Sequence, residues 1–281
     1  MGGRFLQMQL KKRLAESLSA RELKALVGAY DVVGDIAIVI IPEALTAKEQ
    51  TIATAILASN RKIKVVAKRA GYYGGEFRTL PLQILAGEKR KETEVKEFGV
   101  RLVVNPETVY YSVRSGNERR RIASLVAPGE SVLVLFSGIA PFPLVIARHS
   151  QAGTIIGIEK NPQAHAYAVT NLSRNKYHKN IELYLGDVRD VVPTLPAMFD
   201  RVIMPLPTRG AEFLSCALQA LKANGVLHFY DMQRTALYDQ SLAKISDASA
   251  ACGRTVLSST ITRCGHCAPN IYRICIDSRI S

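Results

Sequence analysis

The chain has 281 residues, 48% of them hydrophobic, and a formal net charge of +13 from 37 lysines and arginines against 24 acids. That length holds one large domain or two modest ones, and the mixture of apolar and charged residues excludes a disordered chain and predicts a soluble globular protein. The longest apolar stretches, such as Ile36 to Pro42 and Ser131 to Phe136, are strand-sized, which excludes a membrane helix, and the helical spacing of charge over residues 1–20 is not that of a signal peptide.

In chain order, Leu6 to Leu26 carries a helical pattern, and Val32 to Ile41 reads as a strand interrupted at Gly34-Asp35. Pro42 closes that strand, and Thr46 is expected to cap a helix running to Ala58. Lys64 to Ala67 is a short strand, followed by the loop Gly71-Tyr72-Tyr73-Gly74-Gly75. Glu76 to Ala86 and Gly99 to Val104 complete an antiparallel-looking set. Near residue 105 the rhythm changes to alternating units. These are a helix over Asn117 to Ser124, a strand over Ser131 to Phe136, a helix over Phe142 to Ser150 and a strand over Thr154 to Ile158. A helix over Pro162 to Asn175, strands over Ile181 to Tyr184 and Arg201 to Met204, a helix over Ala211 to Leu221 and a strand over Val226 to Tyr230 continue it. Such alternation is the signature of a parallel sheet wrapped by helices.

The basic excess gathers in clusters at Arg61 to Lys64, Lys68-Arg69, Lys89 to Lys91 and Arg119 to Arg121. Clusters of this kind suit a polyanion, because each neutralised phosphate releases condensed counterions. Tyr72, Tyr73, Tyr110 and Tyr111 lie among them as stacking candidates, although any one of them reads more readily as a packed sheet residue. Five cysteines, Cys216, Cys252, Cys264, Cys267 and Cys275, in a chain without a signal peptide point to a reducing cytoplasm. Cys264-Gly-His-Cys267 has metal or redox spacing, but no second pair completes four ligands, so no metal is expected.

Four strand ends in the second half belong together. Phe136-Ser137-Gly138-Ile139-Ala140-Pro141 makes a tight turn into a helix, where backbone N–H groups can approach a ligand. Glu159 ends the next strand, where a carboxylate can accept both hydroxyls of a ribose. Gly186-Asp187-Val188 closes the third and can read an adenine edge; Pro205-Leu206-Pro207 ends the fourth, at the mouth where a transferred group would sit. A single turn glycine and the lack of a P-loop lysine fit a nucleoside cofactor without a pyrophosphate, on a dinucleotide-type or S-adenosylmethionine fold.

The blocks Tyr30-Asp-Val-Val-Gly-Asp-Ile-Ala-Ile-Val39, Gly75-Glu-Phe-Arg78, Leu85-Ala-Gly-Glu-Lys-Arg-Lys-Glu-Thr93 and Val109-Tyr-Tyr-Ser-Val-Arg-Ser-Gly-Asn-Glu-Arg119 follow one another in the chain. After them come Ile158-Glu-Lys-Asn-Pro162, Gly186-Asp-Val-Arg189 and Asp200-Arg-Val-Ile-Met-Pro-Leu-Pro207. In order and spacing they resemble the tRNA guanine-37 N1-methyltransferases of archaea and eukaryotes, with their relatives the wybutosine-pathway aminocarboxypropyltransferases. The resemblance implies an α/β protein: a Rossmann-like class I S-adenosylmethionine-dependent methyltransferase domain over 106–281, preceded by a small α+β tRNA-contacting domain over 1–105. It implies S-adenosyl-L-methionine as cofactor, the purine at tRNA position 37 as target, and a cytoplasmic monomer with no membrane partner. Glu118 falls on the family's general base and Arg78 on the arginine that stabilises the reacting guanine. Arg119, Glu159, Asp187 and Val188 fall on cofactor contacts, and Ser112 matches one described for the aminocarboxypropyl relatives; Gly138 and Pro205 complete the set from the turn and the fourth strand end. By themselves Glu118 and Arg78 read as a helix-start acid and a solvated strand charge.

Three departures separate this chain from the methyltransferase pattern. Pro205 stands where an asparagine that orients guanine is usual, Val134 replaces an acid and Ala140 a second turn glycine, and Ser115-Gly116-Asn117 is closer to the aminocarboxypropyl relatives. The expected reaction is methyl transfer to N1 of guanosine 37, with aminocarboxypropyl transfer to the wyosine precursor as the alternative and a catalytically weak RNA-binding descendant as a third reading.

Overall fold

A computed structural model describes residues 10–177, 179–195 and 198–281. The chain divides into two units, Met1–Lys96 with Arg101–Val113, and Glu97–Val100 with Arg114–Ser281. The change of rhythm expected near residue 105 thus falls within the segment Arg101–Val113.

In the first unit, the helical pattern expected from Leu6 begins outside the described residues and is broken. A turn of helix at 10–13 gives way to α1 (Ala20–Ala25), started by a capping box in which Ser19 and Glu22 satisfy each other's backbone N–H groups. The strand expected over Val32 to Ile41 folds into the hairpin β1 (Asp31–Val33) and β2 (Ile36–Val39). Its turn needs Gly34, whose φ is +58° and whose place a Cβ could fill only by striking Thr93 Oγ1 at 2.2 Å. The capping role expected of Thr46 is not found. It lies inside a 3-10 stretch, Glu43–Lys48, its Oγ1 donating to the Glu43 carbonyl at 2.9 Å, and α2 (Glu49–Ser59) starts after Lys48 without a side-chain cap. With β3 (Val65–Arg69) and β4 (Leu82–Gly87) the strands form a sheet of order β1-β2-β3-β4, in which β2 and β3 run parallel. Ile52, Ala53 and Ile56 of α2 pack against it with Leu10, Leu14, Val39, Val66 and Leu85. The long strand expected from Glu76 is therefore only β4, and Val100–Val104 (β6) joins a separate two-stranded hairpin with Thr93–Glu97 (β5) rather than this sheet. That hairpin's tip, Glu97–Val100, belongs to the second unit.

The second unit begins with α3 (Gly116–Leu125) and builds a seven-stranded sheet of order β12-β13-β11-β10-β7-β8-β9. Strands β7 (Ser131–Leu135), β8 (Thr154–Glu159), β9 (Ile181–Leu185), β10 (Phe199–Met204) and β11 (Leu221–Arg234) are parallel. Their crossovers carry α4 (Pro141–His149), α5 (Pro162–Ser173), the short α6 (Val188–Val191) and α7 (Leu214–Ala220). Helix α5 starts where Asn161 caps the Gln163 N–H at 2.9 Å and Pro162 occupies the first turn. Leu133, Leu135, Ile156, Ile158, Val202 and Met204 are almost fully buried, so these strands read as continuous apolar runs. After Tyr230 the sequence pattern indicates nothing further, yet β11 runs on to Arg234. It is followed by α8 (Tyr238–Ala251) and an antiparallel pair, β12 (Val256–Ala268) and β13 (Ile271–Ile280), with β13 inserted beside β11. No helix among the described residues is long and apolar enough to cross a membrane.

Candidate functional site

The direction of winding reverses between β7 and β10, which places a crevice at the carboxyl ends of the parallel strands. The turn after β7 is strained there: Phe136, Gly138 and Ala140 all take left-handed φ values, +56°, +58° and +63°. A glycine adopts this freely, whereas Phe136 and Ala140 do so at a cost of about 1 kcal/mol or more each, a concentration of strain typical of ligand-binding turns. The structure joins Gly138 to Glu159, the Gly138 N–H donating to Glu159 Oε2 at 2.7 Å and the Asn161 N–H to Oε1 at 2.7 Å. Burial pushes the Glu159 carboxyl up, against the pull of these backbone donors. A Cβ built on Gly138 meets nothing within 4 Å, and the buried Ser137 hydroxyl beside it has no hydrogen-bond partner among the described residues. Open space, an unmatched hydroxyl and a carboxylate together fit the ribose of a nucleoside.

At the end of β9, Asp187 caps α6. Its carboxylate accepts the Arg189 N–H at 3.0 Å, the Arg189 guanidinium at 2.7 and 2.9 Å and Lys160 Nζ at 3.1 Å. The Arg189 guanidinium first, then its backbone N–H and Lys160, hold the carboxyl well below the usual range. Val188 buries its side chain in the core, with its carbonyl accepting the Cys216 thiol at 3.4 Å. Phe213 packs edge-on to Phe136 at 5.0 Å, and the Arg189 guanidinium lies 5.2 Å from the Phe213 centroid. Pro205 follows β10 directly and presents no side-chain donor or acceptor.

Glu118 and Arg119 open α3, and both are buried, 6% and 3% exposed. Arg119 grips Glu97 with two hydrogen bonds, 2.7 and 2.5 Å, so its guanidinium secures the β5–β6 tip. Glu118 Oε1 accepts from the Tyr230 hydroxyl and Arg121 Nη2, both at 2.7 Å, and Oε2 from Arg121 Nε at 2.8 Å. Arg121 also reaches Asp277 at 2.6 Å, and Asp277 meets His228 Nδ1 at 2.5 Å. On the far side of the ring, His228 Nε2 lies 2.6 Å from Arg201 Nη1. A guanidinium can only donate, so Nε2 accepts and Nδ1–H donates to Asp277; His228 is neutral, and burial lowers its pKa. Sequence reasoning missed this chain beyond Glu118. Only the Glu118–Arg121 spacing of three carried a local signal. Among the described residues His228, Cys275 and Asp277 also form a group whose ligand atoms lie within 4.8 Å of one another. Arg201 and Arg121 already occupy His228 Nε2 and the Asp277 oxygens, which makes this a poor seat for a cation. Cys264 donates to the Arg273 carbonyl at 3.3 Å, and its thiol is pushed up to about 11 by burial.

Arg78 and Ser112 belong to the first unit. Arg78 has a φ of +51° and lays its guanidinium 4.9 Å from the Tyr110 ring centroid; Ser112 is half-buried. Of the four tyrosines, Tyr111 is a packing residue at 9% exposure, but Tyr72, Tyr73 and Tyr110 are 96%, 46% and 41% exposed. The basic clusters are partly spent internally: Lys68 pairs with Glu49, Arg69 with Asp31, Arg90 with Asp35 and Lys91 with Glu107. Arg61, Lys62, Lys64, Lys89 and Arg120 are exposed and make no ion pair among the described residues.

Both units resemble known proteins. Residues 93–257 match the TRM5/TYW2 methyltransferase domain, and residues 10–90 the TYW2 N-terminal domain. Trm5b of Pyrococcus abyssi, a tRNA (guanine(37)-N(1))-methyltransferase, is 33% identical over 256 residues, 90% of this chain and 75% of its own length. Its crystal structure superposes with a TM-score of 0.84 over 94% of this chain and 78% of that one, at 32% identity. The complex of aTrm5 with tRNALeu covers 99% of this chain and 77% of its own, with a TM-score of 0.78 and 30% identity. The tRNA(Phe) (4-demethylwyosine(37)-C(7)) aminocarboxypropyltransferase of Methanocaldococcus jannaschii is 28% identical over 79% of this chain and 88% of its own length. With more than half its residues in that domain and a relative of such identity over nine-tenths of its length, the chain belongs to the TRM5/TYW2 methyltransferase family.

Proposed function

We propose that this protein is an S-adenosyl-L-methionine-dependent tRNA methyltransferase that acts on N1 of guanosine 37. The observation that carries this reading is the 33% identity to Pyrococcus abyssi Trm5b across 90% of the chain. Guanine N1 bears a hydrogen, so its lone pair is freed only when a base removes that proton as the new bond forms, with negative charge spreading onto O6. Glu118 would be the base: three hydrogen bonds fix its carboxylate, and Oε2, which takes only one of them, keeps a lone-pair site for the proton, which supports that role. Arg78, always charged, is the donor for O6. The target base must leave its stack to reach the site. Glu159 would hold the cofactor ribose, the Gly138 turn its amino-acid end, and Asp187 with Val188 its adenine. Ser112, Arg119 and Pro205 would border it, Arg119 through the segment it secures. S-adenosylmethionine supplies an activated methyl group when bound. We read the protein as a cytoplasmic monomer with domains over 1–105 and 106–281.

Aminocarboxypropyl transfer is the second reading, favoured by the match of residues 10–90 to the TYW2 N-terminal domain. Incubation with S-adenosylmethionine and tRNA bearing either G37 or the tricyclic precursor, followed by nucleoside mass measurement, separates the two. A methyl-sized gain on G37 is expected; the larger gain on the precursor, with none on G37, overturns the proposal, and no product from either leaves a binding protein.

A further inference from the structure

Tyr72 is 96% exposed, the most exposed of the large hydrophobic side chains among the described residues, and it stands on an ordered loop. Gly74 and Thr79 exchange both backbone hydrogen bonds, at 3.0 and 3.1 Å, and the Ala70 N–H donates to the Pro81 carbonyl at 2.8 Å. The loop closes through left-handed Gly75 and Arg78. Beside Tyr72, cations and rings alternate. Arg69 lies 5.8 Å from the Tyr73 centroid, Tyr73 meets Tyr110 at 5.9 Å with planes 68° apart, and Arg78 lies 4.9 Å from Tyr110. Phe77, 37% exposed, is the fourth ring. Tyr72 is withheld from the core of its unit, so its area does nothing for folding, while two guanidiniums lie against the half-buried rings of Tyr73 and Tyr110.

We propose that loop 71–79 together with Tyr110 is a stacking platform for an unpaired RNA nucleotide, with Tyr72 as the side chain that stacks on its base. Every base offers a π-face, and only an unpaired one can offer it, because a duplex hides its faces in the stack. The phosphates flanking such a base meet the arginine side of the row, in a chain of net charge +13. Because the loop is already closed by its own hydrogen bonds, little ordering is left to be done on binding. The inference rests on the reading of RNA as substrate, and adds to it that the target is selected for being unpaired beside the modified purine.

The chain contains no tryptophan, so Tyr72→Trp introduces a single reporter on the platform. Its emission is expected to be quenched by a stem-loop RNA with purines in the loop and not by the fully paired duplex of the same composition. Tyr72→Ala is expected to bind the stem-loop about tenfold more weakly, to bind the duplex as the wild type does, and to keep the same salt slope, since no phosphate contact is removed. Tyr72→Phe is expected to restore the affinity. Full exposure of the side chain predicts an unchanged melting temperature for all three variants. Stem-loop affinity of Tyr72→Ala equal to wild type, or an unquenched tryptophan in the bound complex, overturns the proposal. Quenching by phosphatidylserine–phosphatidylcholine vesicles and not by RNA overturns it in favour of a membrane surface. These titrations contain no cofactor and read no product, so failure of the methylation reading leaves their outcome intact.

Discussion

Two carboxylates at opposite ends of the parallel sheet in the second unit, Asp200 and Glu159, are shifted in opposite directions. At the amino end, Asp200 takes the Ser131 N–H at 2.8 Å, the Ser131 hydroxyl at 2.7 Å and Lys222 at 2.9 Å. Burial alone would raise its pKa, yet these donors hold it down to about 2. At the carboxyl end, Glu159 receives backbone N–H groups and, among the described residues, no cationic side chain, and burial prevails, pushing its pKa up. Asp200, matched by Ser131 and Lys222, is spent on holding the strand end. A carboxylate left with a deficit is still an unmatched acceptor, which is what a ribose diol requires. Between Asp200 and Glu159 the difference lies in the donors around each carboxylate, with a cation among them at one and backbone N–H groups at the other.

The largest expected effect lies at the carboxyl end, in the first turn of α3. Glu118→Gln keeps the shape and an oxygen for Tyr230 but removes the proton acceptor, so turnover is expected to fall by about 10²- to 10⁴-fold, with cofactor affinity unchanged. Single-turnover kinetics beside a cofactor titration check this, and a variant of normal turnover removes Glu118 from the base role. At the amino end the counterpart is Arg201, whose side chain is 5% exposed and donates to Glu130, His228 and the Leu125 carbonyl. Arg201→Met leaves those acceptors unmatched and is expected to cost about 3 kcal/mol of stability, read by denaturant unfolding. Cofactor affinity below the transition is expected to stay near wild type. If Arg201→Met instead lost cofactor affinity with its stability intact, the division of labour between the two ends would be wrong.

The carboxyl end was legible in advance wherever the signal was local. The apolar runs of β7, β8 and β10, each followed by a turn, bring Gly138 and Glu159 into a single hydrogen bond from positions 21 apart. The same reasoning stops where partners are distant. Asp277 meets Arg121 from 156 positions away, on a strand that no pattern announced. β12, which covers it at the sheet edge, is largely exposed, with Ser258, Ser259 and Thr260 along it, and so lacks the apolar run that marks its parallel neighbours. Arg119 shows a different limit. Composition gives its charge, but only the folded hairpin shows that Glu97 claims it. For Tyr72 and Tyr111, each one of a Tyr-Tyr pair in the sequence, exposure of 96% and 9% is decided by the fold and not by local sequence.

A smaller effect is expected at Glu159. Glu159→Gln loses one charged acceptor, so S-adenosylmethionine binding is expected to weaken about 10- to 100-fold, measured by calorimetry. Because the folded pKa lies above the unfolded one, the wild-type carboxyl favours the fold in acid and loses that contribution as pH rises through the folded value. Binding runs the other way: the ionised form accepts the ribose, so wild-type affinity is expected to fall as pH drops through the raised pKa, while the variant's stays flat. A variant that tracks wild-type pH dependence would mean that another group sets it.

The smallest effect, and the one that tests the comparison most directly, is Asp200→Asn. Its folded pKa of about 2 lies below the ordinary aspartate value of about 3.9. Its contribution to stability is therefore present above about pH 4 and lost as pH falls from there towards 2. The side chain is 36% exposed, so solvent screening reduces the gain to about 1 kcal/mol. Urea unfolding is expected to show the wild type more stable by that amount at pH 7, with the difference closing in acid. A gap that persists below pH 3 would mean that Ser131 and Lys222 hold the shape of the side chain and not its charge. The opposite shifts of Asp200 and Glu159 would then reflect packing alone. A gap that closes, together with acid-weakened cofactor binding set by Glu159, would place the two titrations at opposite ends of one sheet. The pKa of each carboxylate would then be fixed by whether its neighbours can donate to it.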